Sequence, residues 1–344
     1  MDLRTSGKSF DALTFGEIML RLSPVNAERM AVGDLFEKCV GGAELNVSSG
    51  ISLLGLRTGI ISKLPQNEIG MFAKNRIRFC GVSDDYMVYD RSDNARLGLY
   101  YYENGVHPRK PCVVYDRRGS SINSISLAEV PDEAYGSARL FHTTGISLAL
   151  SGNTREVTVE LMRRFKKGGA SISFDVNYRA NLWGEQEARE TIEKILPLVD
   201  ILFVSEETSR RMFQKTGDTA DIMKSYCRDF GVSLVAATER KVLSPRKHTF
   251  TSAIYEAAED RFYREAPYED IEVIDRIGSG DAYVAGVLFG LLRYGDTQKA
   301  LEFGNAYSAL KNTVPGDLPA SDFRETQQII KAHQSTGIQS EMDR

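Results

Sequence analysis

The stretch Asp275-Arg276-Ile277-Gly278-Ser279-Gly280-Asp281-Ala282-Tyr283-Val284-Ala285-Gly286 runs a glycine-rich turn straight into an apolar segment, and its reading constrains the rest of the chain. A helix that starts at these glycines aims free backbone N–H groups and the positive end of its dipole at an anion. Glycines let that backbone approach a phosphate closely. Asp281 then lies beside the bound anion, a poor arrangement for phosphate binding alone. It makes sense if the carboxylate takes the proton from a hydroxyl as that oxygen attacks phosphorus. The competing reading makes Ser279 or Asp281 an ordinary N-cap.

A second diglycine, Gly41-Gly42-Ala43-Glu44-Leu45-Asn46-Val47, opens a helical pattern in the N-terminal half. Its small residues leave room for a polyhydroxylated ligand against backbone, and Asn46 can hydrogen-bond a sugar hydroxyl. Taken alone, it also fits a plain turn before a helix. Gly7-Lys8-Ser9 imitates the end of a Walker A loop, but Asp2 stands where the first glycine belongs and no strand precedes it.

Between these elements the chain alternates. Ala12 to Leu22 reads as a strand, Ala43 to Leu54 as a helix, Arg57 to Leu64 as a strand, Glu68 to Cys80 as a helix and Asp85 to Tyr89 as a strand. Two β-rich runs, Leu97 to Glu103 and Cys112 to Asp116, interrupt this rhythm as an inserted hairpin. Alternation resumes with strands at 139–144, 171–175, 200–204, 232–237 and 248–256, and helices at 153–167, 185–196, 279–292, 297–311 and 322–332. Repeated β-then-α units predict a mostly parallel sheet covered by helices on both faces, with ligands at the carboxyl ends of its strands. The hairpin then sits outside the sheet as a lid.

Composition excludes several alternatives. The 344 residues allow two domains or one large α/β domain with insertions, and 42% hydrophobic with 26% charged residues is ordinary globular usage. With 43 Lys plus Arg against 47 Asp plus Glu, the net charge of -4 argues against a broad nucleic-acid surface. The four cysteines and four histidines show no metal-ligand or disulfide spacing. The start of the chain lacks a secretory apolar core and the run 282–292 is too short to span a bilayer, so a cytoplasmic protein with no membrane partner is expected.

The two glycine elements, in this order, resemble the ribokinase-like (PfkB) carbohydrate kinase family over nearly the whole chain, and GSGDAYVAG is similar to its second signature, usually DTxGAGDxF. The strings GGAELN, GLYYYENG, VVYDRRGSS, FDVNYR and DRIGSGD are most similar to the 2-keto-3-deoxygluconate kinase branch. The resemblance implies a three-layer α/β/α sandwich with a mostly parallel central sheet and a small β-sheet lid. It implies one catalytic domain over 1–344, with a discontinuous lid from about 17–40 and 95–122.

By the same resemblance Asp281 is the catalytic base, and Gly278, Ser279 and Gly280 form the anion hole. Gly42 and Asn46 line the sugar, with Tyr100, Tyr115 and Arg117 contacting it from the lid. Arg179 faces both substrate and phosphate, and Asp317 is a late substrate contact. A 2-keto acid sugar carries a carboxylate that neutral sugars lack, which Arg117 and Arg179 can answer. Asn177, Ser205, Thr238, Arg240, Gly278 and Gly280 are expected around ATP, and Glu206 as a water-mediated magnesium contact. Asp275, which opens the signature, holds a place with a structural or cation-linked role, so a monovalent cation joins ATP and Mg2+ as a candidate cofactor.

The chain departs from the family in two places. Ser205-Glu206-Glu207-Thr208 replaces the usual NxxE element, and Ala237 to Ser244 lacks the usual glycines of the nucleotide loop. The expected activity is transfer of a phosphoryl group from ATP to O6 of 2-keto-3-deoxy-D-gluconate. Another PfkB sugar kinase, such as a fructokinase, and a sugar-binding regulator with weakened catalysis are the alternatives. The exposed edges of a lid predict a homodimer through it.

Overall fold

The structure is a computed structural model that describes Leu3 and residues 7–335. The ends of the expected 1–344 span, residues 1, 2, 4–6 and 336–344, lie outside the described residues.

The strands, in chain order, are β1 (Phe10–Phe15), β2 (Met19–Pro24), β3 (Phe36–Gly41), β4 (Thr58–Pro65), β5 (Met87–Asp90), β6 (Gly98–Glu103), β7 (Cys112–Asp116), β8 (Ala138–Thr144), β9 (Ser171–Asp175), β10 (Ile201–Phe203), β11 (Leu234–Ser244), β12 (Lys247–Glu256), β13 (Arg261–Arg264) and β14 (Tyr268–Glu272). The larger sheet runs β5-β4-β1-β8-β9-β10-β11-β12-β13, with β14 also paired to β12. It is parallel from β5 to β11 and antiparallel beyond. From β1 the chain steps outward to β4 and β5, then returns to β8 on the other side of β1. That reversal opens a crevice at the carboxyl ends of the strands.

The central strands are buried on both faces, and their residues alternate between two cores. Leu13, Phe141, Ile172, Leu202 and Val235 face one core, against helices Gly152–Lys167, Glu185–Ile195 and Thr219–Phe230. Ala12, Leu140, Ile201 and Leu234 face the other, against helices Ala43–Leu53, Ser279–Tyr294 and Thr297–Asn312. The last two helices touch backbone to backbone. A Cβ on Gly286 would run into the Phe303 carbonyl, so glycine sets their spacing and thereby the seat of Asp281.

A second sheet, β3-β2-β6-β7, stands apart from the first. Here the expected single strand 12–22 divides, because the chain leaves the large sheet after Phe15 and enters the small one at Met19. Local apolar alternation continues across the break and carries no sign that the partner strands change. β3, β13 and β14 were not anticipated either. They are short, half-exposed and rich in charge, as in Arg261–Arg264, and so lack an apolar run.

Lys8 donates to the carbonyls of Gly136 (2.7 Å) and Gly168 (3.1 Å). It lies before β1, away from the crevice, which agrees with rejecting a Walker loop there. Among the described residues no helix is long and apolar enough to cross a membrane.

Phe165 is fully buried and stacks on Phe141 at 4.3 Å, away from the crevice. Phe165→Ala should therefore lower unfolding free energy by about 3–5 kcal/mol in urea melts, with substrate KM unchanged in the folded fraction.

Candidate active site

A cavity of about 510 Å3 lies between the carboxyl ends of the large sheet and the small sheet. Gly42, Asn46, Tyr100, Tyr115, Arg117, Asn177, Arg179, Ser205, Thr238, Arg240, Gly278, Ser279, Gly280, Asp281 and Asp317 all line it. Residues from distant parts of the chain thus meet in one place, and of the expected residues Glu206 and Asp275 are not in the lining.

The helix Ser279–Tyr294 is N-capped by Gly278, in a left-handed conformation (φ 80°), with no side chain capping it. The N-cap reading of Ser279 or Asp281 is therefore not what the chain adopts. Ser279 N–H donates to Arg276 O at 3.2 Å, which leaves the Gly280 and Asp281 N–H groups for an anion in the cavity. A Cβ on Gly278 would also collide with the Asp317 carbonyl, so only glycine suits the position. Asp281 Oδ2 accepts a 2.6 Å hydrogen bond from Asn46 Nδ2, which joins the two glycine elements. Asn46 Oδ1 is buried without a partner, an acceptor that a ligand hydroxyl can satisfy.

Burial pushes the Asp281 carboxyl up to about 6, with Asn46 and the Arg179 charge pulling it back. It is ionised at neutral pH yet basic enough to accept a proton in a transition state. Two further carboxyls surround it. Asp175, at the end of β9, is pushed up to about 7 by burial and by the Asp281 charge. Glu44 is also pushed up to about 7 by burial, although Thr144 N, Thr144 Oγ1 and Ser147 Oγ donate to it. The sequence analysis singled out neither residue for chemistry, since each sits in an ordinary strand-end or helix-start pattern.

The cations divide into two kinds. Arg179 has only a 3.3 Å bond to the neighbouring Tyr178 carbonyl and directs its field at Asp175 and Asp281. Arg240 and Arg276 also line the cavity without an ion-pair partner among the described residues. Burial and the adjacent Arg276 lower the Arg240 pKa, and both guanidiniums help push His248 down to about 4. Two like charges held together in a cleft make a site for a polyanion. Sequence reasoning passed over Arg276, which stands where the usual signature has threonine.

Arg117, by contrast, is not a free charge. It is buried against Glu17, with Nε 2.8 Å from Oε2, so its guanidinium is already neutralised. Asp317 is likewise engaged, accepting from Arg21 at 2.9 Å and from the Tyr100 hydroxyl. Both line the cavity as parts of a brace. Ser205 Oγ accepts from Thr208 N as the N-cap of helix Glu206–Arg211. The Asn177 N–H is bonded to Asp175 Oδ1 at 3.1 Å.

Glu206 is placed differently from the other expected residues. Its carboxylate is taken by Thr219 Oγ1 and by Arg210 one helical turn on, outside the cavity lining. No group of three His, Cys, Asp or Glu among the described residues is arranged to hold a metal ion. Asp175 and Asp281 still suit a magnesium ion that arrives on phosphate oxygens and keeps most of its waters.

A switch-point crevice with a separate sheet over it, an uncapped helix start and a buried carboxylate beside it match a ribokinase-like phosphotransferase acting on an alcohol group. Residues 10–322 match the pfkB family carbohydrate kinase pattern, and the chain belongs to that family, whose members use ATP. It is similar to the 2-dehydro-3-deoxygalactonokinase of Haloferax volcanii, at 34% identity over 93% of this chain and 96% of that one. It is also similar to the 2-dehydro-3-deoxygluconokinase of Bacillus subtilis, at 29% identity over 97% and 99%. The crystal structure of a 2-dehydro-3-deoxygluconokinase from Thermotoga maritima superposes with a TM-score of 0.88 at 31% identity, covering 93% of this chain and 99% of that one.

Folding holds the Glu44 proton more tightly than the unfolded chain does, which raises its pKa from 4.5 to about 7. The stability this contributes is complete below about pH 4.5 and is lost as pH rises through 7. Glu44→Gln has no such proton to lose. Urea melts from pH 5 to 8 should show the variant gaining on wild type by up to roughly 3 kcal/mol.

Proposed function

We propose that this chain is an ATP-dependent, magnesium-requiring kinase for 2-keto-3-deoxy-D-gluconate, which it converts to the 6-phosphate. The observation that carries the chemistry is the Asn46–Asp281 hydrogen bond at the open N-terminus of helix Ser279–Tyr294. It sets a proton acceptor beside an anion site and a sugar-hydroxyl site at once.

Asp281 takes the proton of the terminal hydroxyl as that oxygen forms its bond to the γ-phosphorus and the bond to the β–γ bridging oxygen breaks, releasing ADP. Backbone N–H groups of Gly278, Gly280 and Asp281 and the charges of Arg179, Arg240 and Arg276 stabilise the transferring phosphoryl group. Asp175 and Asp281 would hold magnesium, which would supply further neutralisation of phosphate charge. The small sheet shields the site from water, which would otherwise waste ATP.

The acid sugar is favoured by the names of the similar enzymes and by the lid residues. Glu17 takes Nε and Nη2 of Arg117, leaving its other N–H donors directed at a ligand. Recognition of the substrate carboxylate then rests on hydrogen-bond geometry at Arg117 and Tyr115 more than on net charge. The galacto epimer is the second reading, supported by the similarity to the Haloferax enzyme. A regulator without catalysis fits poorly with the intact Asn46–Asp281 pair.

The lid edge at β7 exposes Val113 and Val114, and lid-to-lid pairing across it is the proposed homodimer. Sedimentation should give a dimer, and Val114→Lys should yield a monomer.

An ADP-release assay over keto-deoxy acids, ketohexoses, ribose and nucleosides should show turnover with the 2-keto-3-deoxy acids; activity confined to nucleosides would reject the substrate assignment. Asp281→Asn should lower kcat by roughly 10²–10⁴-fold with sugar binding retained. Wild-type kcat/KM should fall below about pH 6, where Asp281 is protonated.

A further inference from the structure

Lys311 ends the helix Thr297–Asn312 and is only 2% exposed, an expensive place for a charge. Its ammonium is not in direct contact with any carboxylate among the described residues. It donates instead to two backbone carbonyls, Asp275 O at 3.4 Å and Val314 O at 3.3 Å. The first belongs to the loop that leads into Gly278–Asp281, the second to the loop that carries Asp317. The same two loops are joined directly by Gly316 N on Asp275 Oδ2 (3.1 Å), and the first is also tied to the end of the helix by Ile274 N on Asn312 O (2.8 Å). Asp275, Asp317 and Asp281 supply the surrounding negative field, and Arg21 opposes it.

A compact cation held by carbonyl oxygens between two loops, with carboxylates just beyond, is how a monovalent ion is bound. The expected place for such an ion was at Asp275, and in the structure all three of its oxygens already accept from the protein. Its carboxylate accepts from Arg21, Gly316 N and Ile277 N, and its carbonyl from Lys311. Charge is also balanced without an ion, since Arg21 and Lys311 answer Asp275 and Asp317. We propose that the Lys311 ammonium is a built-in monovalent cation, tethered beneath the anion-hole loop, and that this chain needs no potassium or ammonium ion to order Gly278–Asp281. Lys311 is thus a positioning residue that acts through the loop.

The inference rests on phosphoryl transfer by this chain but not on which sugar accepts. The test follows the full-length protein in KCl, NH4Cl and tetramethylammonium chloride at equal ionic strength. Wild-type kcat should vary by less than about twofold among the three. Lys311→Ala should lose about tenfold or more in tetramethylammonium and regain most of it in K+ or NH4+. Its thermal midpoint should rise in K+ while the wild-type midpoint stays put. Several-fold stimulation of the wild type by K+ overturns the proposal whether or not the variant folds, and so does a folded variant that no cation rescues. Absence of turnover with every acceptor would count against the kinase reading instead, and the thermal measurements would still decide the role of Lys311.

Discussion

Arg21 is the interaction on which the site depends. It rises from a strand of the small sheet and is buried between Asp275 at 2.6 Å and Asp317 at 2.9 Å, with its guanidinium 4.5 Å from the Tyr102 ring centre. Asp317 is held in turn by the Tyr100 hydroxyl, and Tyr100 stacks on Tyr115 at 5.7 Å. One cation thus ties the lid, the loop that leads to the anion hole and the late loop that backs Gly278. Removing one member of such a buried network typically costs about 3–5 kcal/mol, because the remaining charge is stranded. The lid is joined to the catalytic loop by fixed charge, and its strands are more than a cover.

Around the cavity the charges are sorted by whether they already have partners. Arg21, Arg117 and Asp317 are paired and buried, and they set shape. Arg179, Arg240 and Arg276 are left without carboxylate partners among the described residues, so their field is available to phosphates. Asp281 and Asp175 sit beneath those cations with carboxyls made more basic by burial. An electropositive mouth over a basic carboxylate suits a reaction in which a polyanion arrives, a proton leaves the acceptor and negative charge spreads over the phosphoryl oxygens.

The chemistry that could be read along the chain was the chemistry local spacing carries. Gly278-Ser279-Gly280-Asp281 is legible as a helix start because such a start needs only consecutive residues to present its N–H groups. Gly41-Gly42 and Asn46 are legible for the same reason, and the large-sheet strands and their helices followed from periodicity. Arg117, Asp317 and Glu206 look like free charges in the sequence, yet each has a partner in the fold: Glu17, Arg21 and Arg210 respectively. The partners of the first two are far away in the chain. Arg210, one helical turn from Glu206, was within reach of a charge-spacing argument.

By itself, then, the sequence determined the alternation that makes a parallel α/β sheet and the two glycine turns, the second of which runs into Asp281. Each of these depends on neighbours within a few turns of helix or one strand. The tertiary structure alone decided which charges are spent on bracing and which remain free, that Arg276 and Asp175 belong to the cavity, and that Lys311 lies under Asp275. The physical reason is that burial and pairing are properties of three-dimensional surroundings. A guanidinium or carboxyl has the same formula in every sequence, and its working charge is set by which distant groups the fold packs against it.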